Sequence, residues 1–154
     1  MSDERSNAAS ELARLAFAFL NDGAPPEDVV RAWLTDDFTY EDRRSGPSFP
    51  AADAESVPKY VLSMWQTGAG QPRWETETLA VRGERFAAMA IHTDYGNGML
   101  LDSIDVFGLG AALSLLQRQV SFDRDDVDGA IAELDRMQSE DDANGSALRA
   151  SEPP

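Results

Sequence analysis

Hydrophobic residues recur at the spacing of an α-helix in four separate segments of the chain. Intervals of three and four residues place such side chains on one face of a helix. The segments cover residues 11–20, 25–34, 53–66 and 123–137. Asn21-Asp22-Gly23 is suited to end the first helix, and Asp123 is suited to cap the last one. The pattern therefore predicts three helices in the first half of the chain and one near its end.

One short segment of the first half and most of the second half are typical of strands: residues 38–42 and 74–81 alternate apolar and polar residues, and residues 85–95 are rich in β-forming apolar residues. The predicted strands are residues 38–42, 74–81, 85–95, 99–107 and 112–122. Asn97-Gly98 predicts a tight hairpin turn, because these residues tolerate the positive φ that such turns require. Helices followed by an antiparallel meander indicate an α+β fold, in which the helices cover one face of the sheet.

Composition limits both the organisation of the chain and the kind of ligand it binds. Its 154 residues, 42% of them hydrophobic, are sufficient for one domain with a core. We expect this domain at residues 11–138, with a flexible N-terminus at 1–10 and a disordered acidic tail at 139–154. A net charge of −15 disfavours binding to nucleic acids and to anionic membranes.

The sequence lacks residues that several kinds of chemical site require, and it lacks the apolar segments of membrane and secreted proteins. It has no cysteine, so disulfides and thiolate sites cannot form, and its single histidine, His92, makes a metal site an unfavourable hypothesis. No apolar segment approaches the length of a membrane span, and the N-terminus lacks the apolar core of a signal peptide. We therefore expect a soluble, cytoplasmic protein that uses no metal or other cofactor.

Two longer segments are similar to the SnoaL-like, nuclear transport factor 2-like superfamily. The sequence LAVRGERFA at residues 79–87 resembles the second hairpin of many members, and FDRDDVDGAIAELD at residues 122–135 resembles their final helix. The order of helices and strands matches as well, so the resemblance covers about residues 11–138. It implies a curved antiparallel sheet with N-terminal helices forming a cone around a pocket, and an extra C-terminal helix.

The resemblance also implies a homodimer. Sheets of this kind pair through their convex face, for which an apolar patch is available on one predicted strand: Leu100, Ile104 and Val106. The expected ligand is a small apolar or carbonyl-containing molecule.

Two shorter segments resemble parts of ketosteroid isomerase. Residues 36–42 are similar to the stretch that ends in its proton-transferring aspartate, which gives Asp42 that place. Residues 101–106 are similar to the strand that carries its neutral, hydrogen-bond-donating aspartate, which gives Asp105 that place. The tyrosine that binds the oxyanion in that enzyme corresponds to Ala16 here. The resemblance therefore does not extend to ketosteroid isomerisation itself.

Each aspartate has a functional and a structural interpretation. Asp42 shares a strand face with Tyr40, and could act as a base in an apolar pocket or pair with Arg43 or Arg44 at the end of its strand. Asp105 lies in an apolar strand, where it is either protonated and donating to a ligand or bonded to a neighbour. Both remain candidate catalytic residues.

The third candidate, His92, depends on the register of the hairpin. A two-residue Asn97-Gly98 turn sets His92 opposite Ser103 and on the face of Asp105. A three-residue turn sets it opposite Asp102 and on the other face, where it would be an interface residue rather than a pocket acid or base. The sequence leaves both registers open.

Several aromatic and polar side chains are candidates for contacting a ligand. They are Tyr40, Trp65, Trp74, Phe86, Ser103 and Phe122. The aromatic residues among them would serve equally well as an ordinary core. Arg43 and Arg44 could hold an anionic substrate at the mouth of the cone, or could be solvated loop residues.

The pattern is compatible with functions of two classes. In the first, the chain is an isomerase or cyclase in which Asp42 takes a proton next to a carbonyl group, while Asp105 or His92 stabilises the oxyanion. In the second, it is a non-catalytic ligand-binding or dimerisation module with an accessory role. Convergence of Asp42 and Asp105 on one cavity would favour the first.

Overall fold

The computed structural model describes residues 6–45, 52–59, 72–96 and 98–151. Helices α1 (Ala8–Asn21) and α2 (Pro26–Trp33) come first, and helix α3 (Val127–Ser151) comes last. Between them the described residues form six strands: β1 (Leu34–Asp42), β2 (Ala52–Asp53), β3 (Arg73–Arg82), β4 (Phe86–Asp94), β5 (Leu100–Leu109) and β6 (Leu116–Asp123). They form one sheet in the order β2-β1-β6-β5-β4-β3. The α+β prediction is confirmed.

The sheet is mixed rather than wholly antiparallel. Strand β1 runs parallel to β6, with Tyr40 opposite Gln119 and Asp42 opposite Ser121, whereas every other neighbouring pair is antiparallel. Because β1 and β6 lie far apart in the sequence, the direction of their pairing leaves no local signal in the hydrophobic pattern. This pairing brings the end of β1 beside the middle of the sheet, where the candidate site lies.

Helix α1 is fixed to the sheet at both of its ends. At its start, Asn7 caps the helix by accepting a hydrogen bond from the Ser10 amide, and its own side-chain amide donates to the carbonyl groups of Gly83 and Phe86, both at 2.8 Å. At its end, the Asn21 side chain exchanges two hydrogen bonds with the main chain of Trp74. The cap at Asn7 places the start of α1 three residues before the predicted one.

Substitution of Asn7 by serine is expected to lower the free energy of unfolding by about 1–2 kcal/mol. Serine can keep the capping acceptor, but it lacks the amide hydrogens that reach Gly83 and Phe86, and both carbonyl groups then lose a buried donor. Urea denaturation of the two proteins measures the difference. A loss below about 0.5 kcal/mol would mean that the two long-range bonds contribute little.

Helix α3 packs on the outer face of the sheet, opposite α1. Ala130, Leu134 and Met137 form a buried cluster with residues of β5 and β6 that include Ile104 and Val106. The patch predicted for pairing two copies is therefore largely covered by the chain's own helix: Ile104 and Val106 are 2% and 0% exposed, and only Leu100 is open at 59%. The homodimer stays a prediction.

The last helix also extends into the segment for which composition predicts disorder. It continues to Ser151, well beyond residue 139. Side-chain contacts one turn apart support this extension, since Arg136 bonds Glu140 and Gln138 bonds Asp142, while Arg85 on the sheet contacts Asp141. A polar, charged composition excludes a buried helix but not one that lies partly in solvent.

The predicted third helix lies largely outside the described residues. Residues 57–59 are helical, whereas Asp53, at which the predicted helix begins, lies in β2, and residues 60–71 are not described. Within the ranges given above, none of the helices is long and apolar enough to cross a membrane.

Candidate functional site

A cavity of about 180 Å³ lies between helix α1 and the inner face of the sheet. Helix α1 contributes the small residues Ala13 and Ala16, which leave space, together with Leu20, and the strands contribute large residues that close the apolar wall: Phe38, Trp74 and Phe107. Side chains two apart on a strand point to the same face, so one strand can supply both apolar and polar groups to this wall. We therefore treat this cavity as the candidate functional site.

One end of this cavity is polar. We define this polar end by eight of the lining residues: Tyr40, Arg44, Thr93, Tyr95, Ser103, Asp105, Gln119 and Ser121. They come from the end of β1 and from the three central strands, whose pairing aligns them across the sheet. A ligand that fills the cavity would therefore be apolar over most of its surface and polar at one end.

Asp105 is the central group of the polar end, and it is only 4% exposed. Its carboxyl oxygens accept hydrogen bonds from Ser103 Oγ at 2.8 Å and from Gln119 Nε2 at 2.5 Å. Burial raises the pKa of Asp105 above its ordinary value, which outweighs the hydrogen bonds of its neighbours and the charge of Arg44, which lower it. Asp105 thus keeps its proton at a pH where an exposed aspartate is ionised.

Tyr40 provides a second neutral donor beside Asp105. Its hydroxyl group donates to Ser121 Oγ at 2.8 Å. Burial raises the pKa of Tyr40 far above that of an exposed phenol, and the negative charge that Asp105 acquires when it ionises, together with that of Asp42, raises it further. Ala16 lines the same cavity from α1 without a polar atom in its side chain, so the phenol of this site comes from a strand.

Asp42 and Arg44 form a buried ion pair next to the polar end. Arg44 Nε and Nη2 donate to the two carboxylate oxygens of Asp42 at 2.8 and 2.7 Å, and the side chains are 12% and 0% exposed, respectively. The hydrogen bond to Asp42 raises the pKa of Arg44, which remains a cation. Of the two interpretations of Asp42, the structure contains the ion pair, and the partner is Arg44.

The two aspartates nevertheless lie on one face of the sheet. Asp42 is opposite Ser121, and Ser121 is opposite Asp105, so the aspartates are separated by two strand spacings, about 10 Å. Asp105 lines the cavity directly, whereas Asp42 reaches it through Arg44. A base at Asp42 would first have to exchange Arg44 for a substrate, and its catalytic role stays a prediction.

His92 lies on the outer face, away from the cavity. The hairpin has the longer turn, with the Tyr95 amide bonded to the Met99 carbonyl and His92 opposite Asp102. His92 Nδ1 contacts the Asp102 carboxylate, which also accepts from Arg124 at 3.1 Å. In the part of the chain that the structure describes, no group of three histidine or acidic side chains is arranged to hold a metal ion.

The other predicted ligand contacts divide between the two faces of the sheet. Tyr40, Trp74 and Ser103 line the cavity. Phe86 and Phe122 belong to the outer core beneath α3, and Trp65 lies outside the described residues.

Sequence reasoning missed four residues of the polar end: Thr93, Tyr95, Gln119 and Ser121. The first two share the alternation of Ile91, and could have been found once the turn register was known.

Comparisons with known sequences do not assign this chain to a family. No family model matches it, and no curated protein matches it.

Solved structures resemble it in fold, at low sequence identity. A Delta 5-3-ketosteroid isomerase from Mycobacterium sp. is 12% identical with a TM-score of 0.54, over 75% of this chain and 92% of that one. A proposed isomerase of the SnoaL-like family from Agrobacterium tumefaciens is 13% identical with a TM-score of 0.59, over 75% and 96%. An NTF2-like protein of unknown function from Cytophaga hutchinsonii is 10% identical with a TM-score of 0.54, over 79% and 92%. The chain has the fold of the SnoaL-like and NTF2-like proteins.

Proposed function

We propose that this chain, which has the SnoaL-like and NTF2-like fold, binds a small, largely apolar molecule and holds its carbonyl oxygen against Asp105. The observation that carries the proposal is a buried carboxyl group with a raised pKa in the wall of an otherwise apolar cavity. A buried polar group is stabilised when it forms a hydrogen bond. A neutral carboxyl group has one O–H to donate, and a carbonyl oxygen can accept it.

Such a donor does more than bind the carbonyl group. A hydrogen bond from Asp105 withdraws electron density from the oxygen, and it strengthens if negative charge develops there. Tyr40 lies close enough for its pKa to respond to Asp105 and is neutral as well, but its proton is donated to Ser121, so Asp105 is the neutral donor that faces the ligand. The polar end therefore has the character of an oxyanion site that is assembled before the ligand arrives.

The finer proposal is cofactor-free isomerisation or cyclisation next to that carbonyl group. A polarised carbonyl acidifies the neighbouring C–H bond, and a carboxylate base can then move the proton. Asp42 is the base that this reaction would use, supported by its position on the inner face two strands from Asp105. Its ion pair with Arg44 makes ligand binding the better supported part of the proposal.

Replacement of Asp105 by leucine is expected to weaken binding of 2-acetylnaphthalene by about tenfold, because the donor to the ketone is lost. Asparagine, which keeps an N–H donor, should change the affinity by less than about threefold. 2-Isopropylnaphthalene has a similar shape and no carbonyl oxygen, and its affinity should not fall in the leucine variant. Calorimetric titration of the three proteins with both compounds makes the measurement.

The same titration has a defined pH dependence. A raised pKa keeps Asp105 neutral at low pH, so the wild-type affinity for the ketone should fall as the pH rises through that pKa and the donor is lost. The asparagine variant should not show this fall. Equal affinity of the wild type and the leucine variant for the ketone, at every pH, would contradict the proposal.

A further inference from the structure

Arg44 is a permanent positive charge in the wall of a cavity that is otherwise apolar or neutral. It follows β1 and lies among the lining residues, with only 12% of its side chain exposed. Its charge lowers the pKa of Tyr40, Tyr95 and Asp105, although burial raises all three overall. Tyr40 lies on β1, Asp105 on β5 and Tyr95 directly after β4, so the guanidinium group acts on residues from three parts of the polar end.

The ion pair with Asp42 orients this guanidinium group rather than removing it from the cavity. Asp42 binds the Nε and Nη2 atoms in the two-pronged geometry that fixes the plane of an arginine side chain. The main-chain amide of Arg44 also donates to Asp42, at 3.0 Å, which ties the side-chain pair to the turn that follows β1. Asp42 is therefore a positioning residue for Arg44.

Donors predominate among the charged and neutral groups around Arg44. Arginine has five N–H groups and no acceptor, and a neutral Asp105 has a proton to give, whereas the single proton of the Tyr40 phenol is donated to Ser121. Asp42, the ion-pair partner of Arg44, has both of its carboxylate oxygens bonded to that arginine. A ligand group that accepts several hydrogen bonds and carries negative charge matches this arrangement, whereas a cation would meet Arg44.

From this geometry we infer that the ligand is an organic acid: an apolar body whose carboxylate is recognised by Arg44 at the polar end of the cavity. The inference rests on the proposed function, because it concerns the same cavity and adds the charge of the ligand. The attraction of Arg44 for an anion acts only at short range, because the chain as a whole carries a net charge of −15 and repels anions at long range. Arg44 thus selects acids against the overall field of the protein.

The neighbouring arginine provides a matched control. Arg43 points to the other face of the sheet, where it bonds Glu41 and Glu133 and lies over the Phe122 ring. It has the same charge and lies one position away in the sequence, but it is not among the residues that line the cavity. Any long-range effect of removing one positive charge should be equal in the two variants.

The test compares 2-naphthoate with 2-acetylnaphthalene at 150 mM salt, where long-range charge effects are screened. The wild type should bind the acid at least tenfold more tightly than the ketone. Arg44→Gln should weaken binding of the acid by about 10- to 100-fold and change the ketone by less than about threefold, while Arg43→Gln should change neither by more than about twofold. The double variant D42N/R44Q, which leaves no buried carboxylate without its partner, should behave as Arg44→Gln does and shows that the loss is not misfolding.

The outcomes separate the two proposals. If the ketone binds and the acid binds no more tightly, or if Arg43→Gln weakens the acid as much as Arg44→Gln, the inference about Arg44 is overturned and the role of Asp105 stands. If neither compound binds the wild type, the proposed function fails, and the inference fails with it.

Discussion

Replacement of Leu134 by alanine is expected to lower the free energy of unfolding by about 2–5 kcal/mol, the largest effect of any change considered. Leu134 is on helix α3 and is 0% exposed. Its side chain belongs to the cluster between α3 and the outer face of the sheet, so truncation would leave a cavity among residues that cannot readily close around it. Urea denaturation followed by circular dichroism measures the loss.

Val127→Ala is the matched control, because Val127 starts the same helix but is 45% exposed. Its truncation should cost less than about 1 kcal/mol. The cavity for the ligand lies on the opposite face, so Leu134→Ala should leave the affinity for 2-acetylnaphthalene unchanged at temperatures where the variant is folded. Equal losses in the two variants would show that α3 is not packed on the sheet.

The hydrophobic pattern was sufficient to predict the fold class because most of the long elements have a local signal of their own. The apolar face of α1 follows the helical period, and β4 and β5 are short, apolar segments of the kind that form buried strands. The pairing of β1 with β6 left no such signal, since it depends on contacts between distant segments. The length of α3 was missed for another reason, because a polar composition is shared by disordered tails and by exposed helices.

Part of the candidate site follows from alternation along the strands, and Asp105 was identified by the resemblance to ketosteroid isomerase. Tyr40 and Ser103 were identified as candidates and line the cavity. His92 depended on whether Gly96 joins the turn; Gly96 and Gly98 both have positive φ, and one additional turn residue sends His92 to the outer face.

The sequence alone could not decide which arginine pairs with Asp42. The sequence offered Arg43 and Arg44 as partners, and the choice between them depends on how the chain bends after β1. The structure pairs the inward arginine with Asp42 and the outward one with Glu133, so two adjacent residues serve opposite faces of the sheet.

Substitution of Glu133 by glutamine is expected to cost about 2–3 kcal/mol at pH 7, somewhat less than the loss of a fully buried ion pair because the arginines around it are partly exposed. The Glu133 side chain is 3% exposed and lies between Arg43, Arg118 and Arg136. Arg43 follows β1 and Arg118 is on β6, so this one carboxylate ties α3 to two strands. Glutamine keeps the shape but loses the charge on which all three contacts depend.

The pH dependence of this loss separates charge from packing. Burial alone would raise the pKa of Glu133, but the three arginines together lower it below its ordinary value. A lowered pKa stabilises the folded state above the pKa of the unfolded chain, and this contribution is lost as the pH falls through the folded-state pKa. The wild type and Glu133→Gln should therefore differ at pH 7 and converge in acid, whereas the raised pKa of Asp105 makes its own contribution to stability largest in acid.

Glu140→Gln is the control for this experiment, because Glu140 is on the same helix and bonds the same Arg136, yet its side chain is 57% exposed. Its loss should be below about 0.5 kcal/mol at every pH. Urea denaturation of the three proteins at pH 7 and in acid, below the pKa of Glu133, gives the comparison. A deficit in Glu133→Gln that persists undiminished in acid would mean that the shape of this side chain, rather than its charge, holds α3 on the sheet.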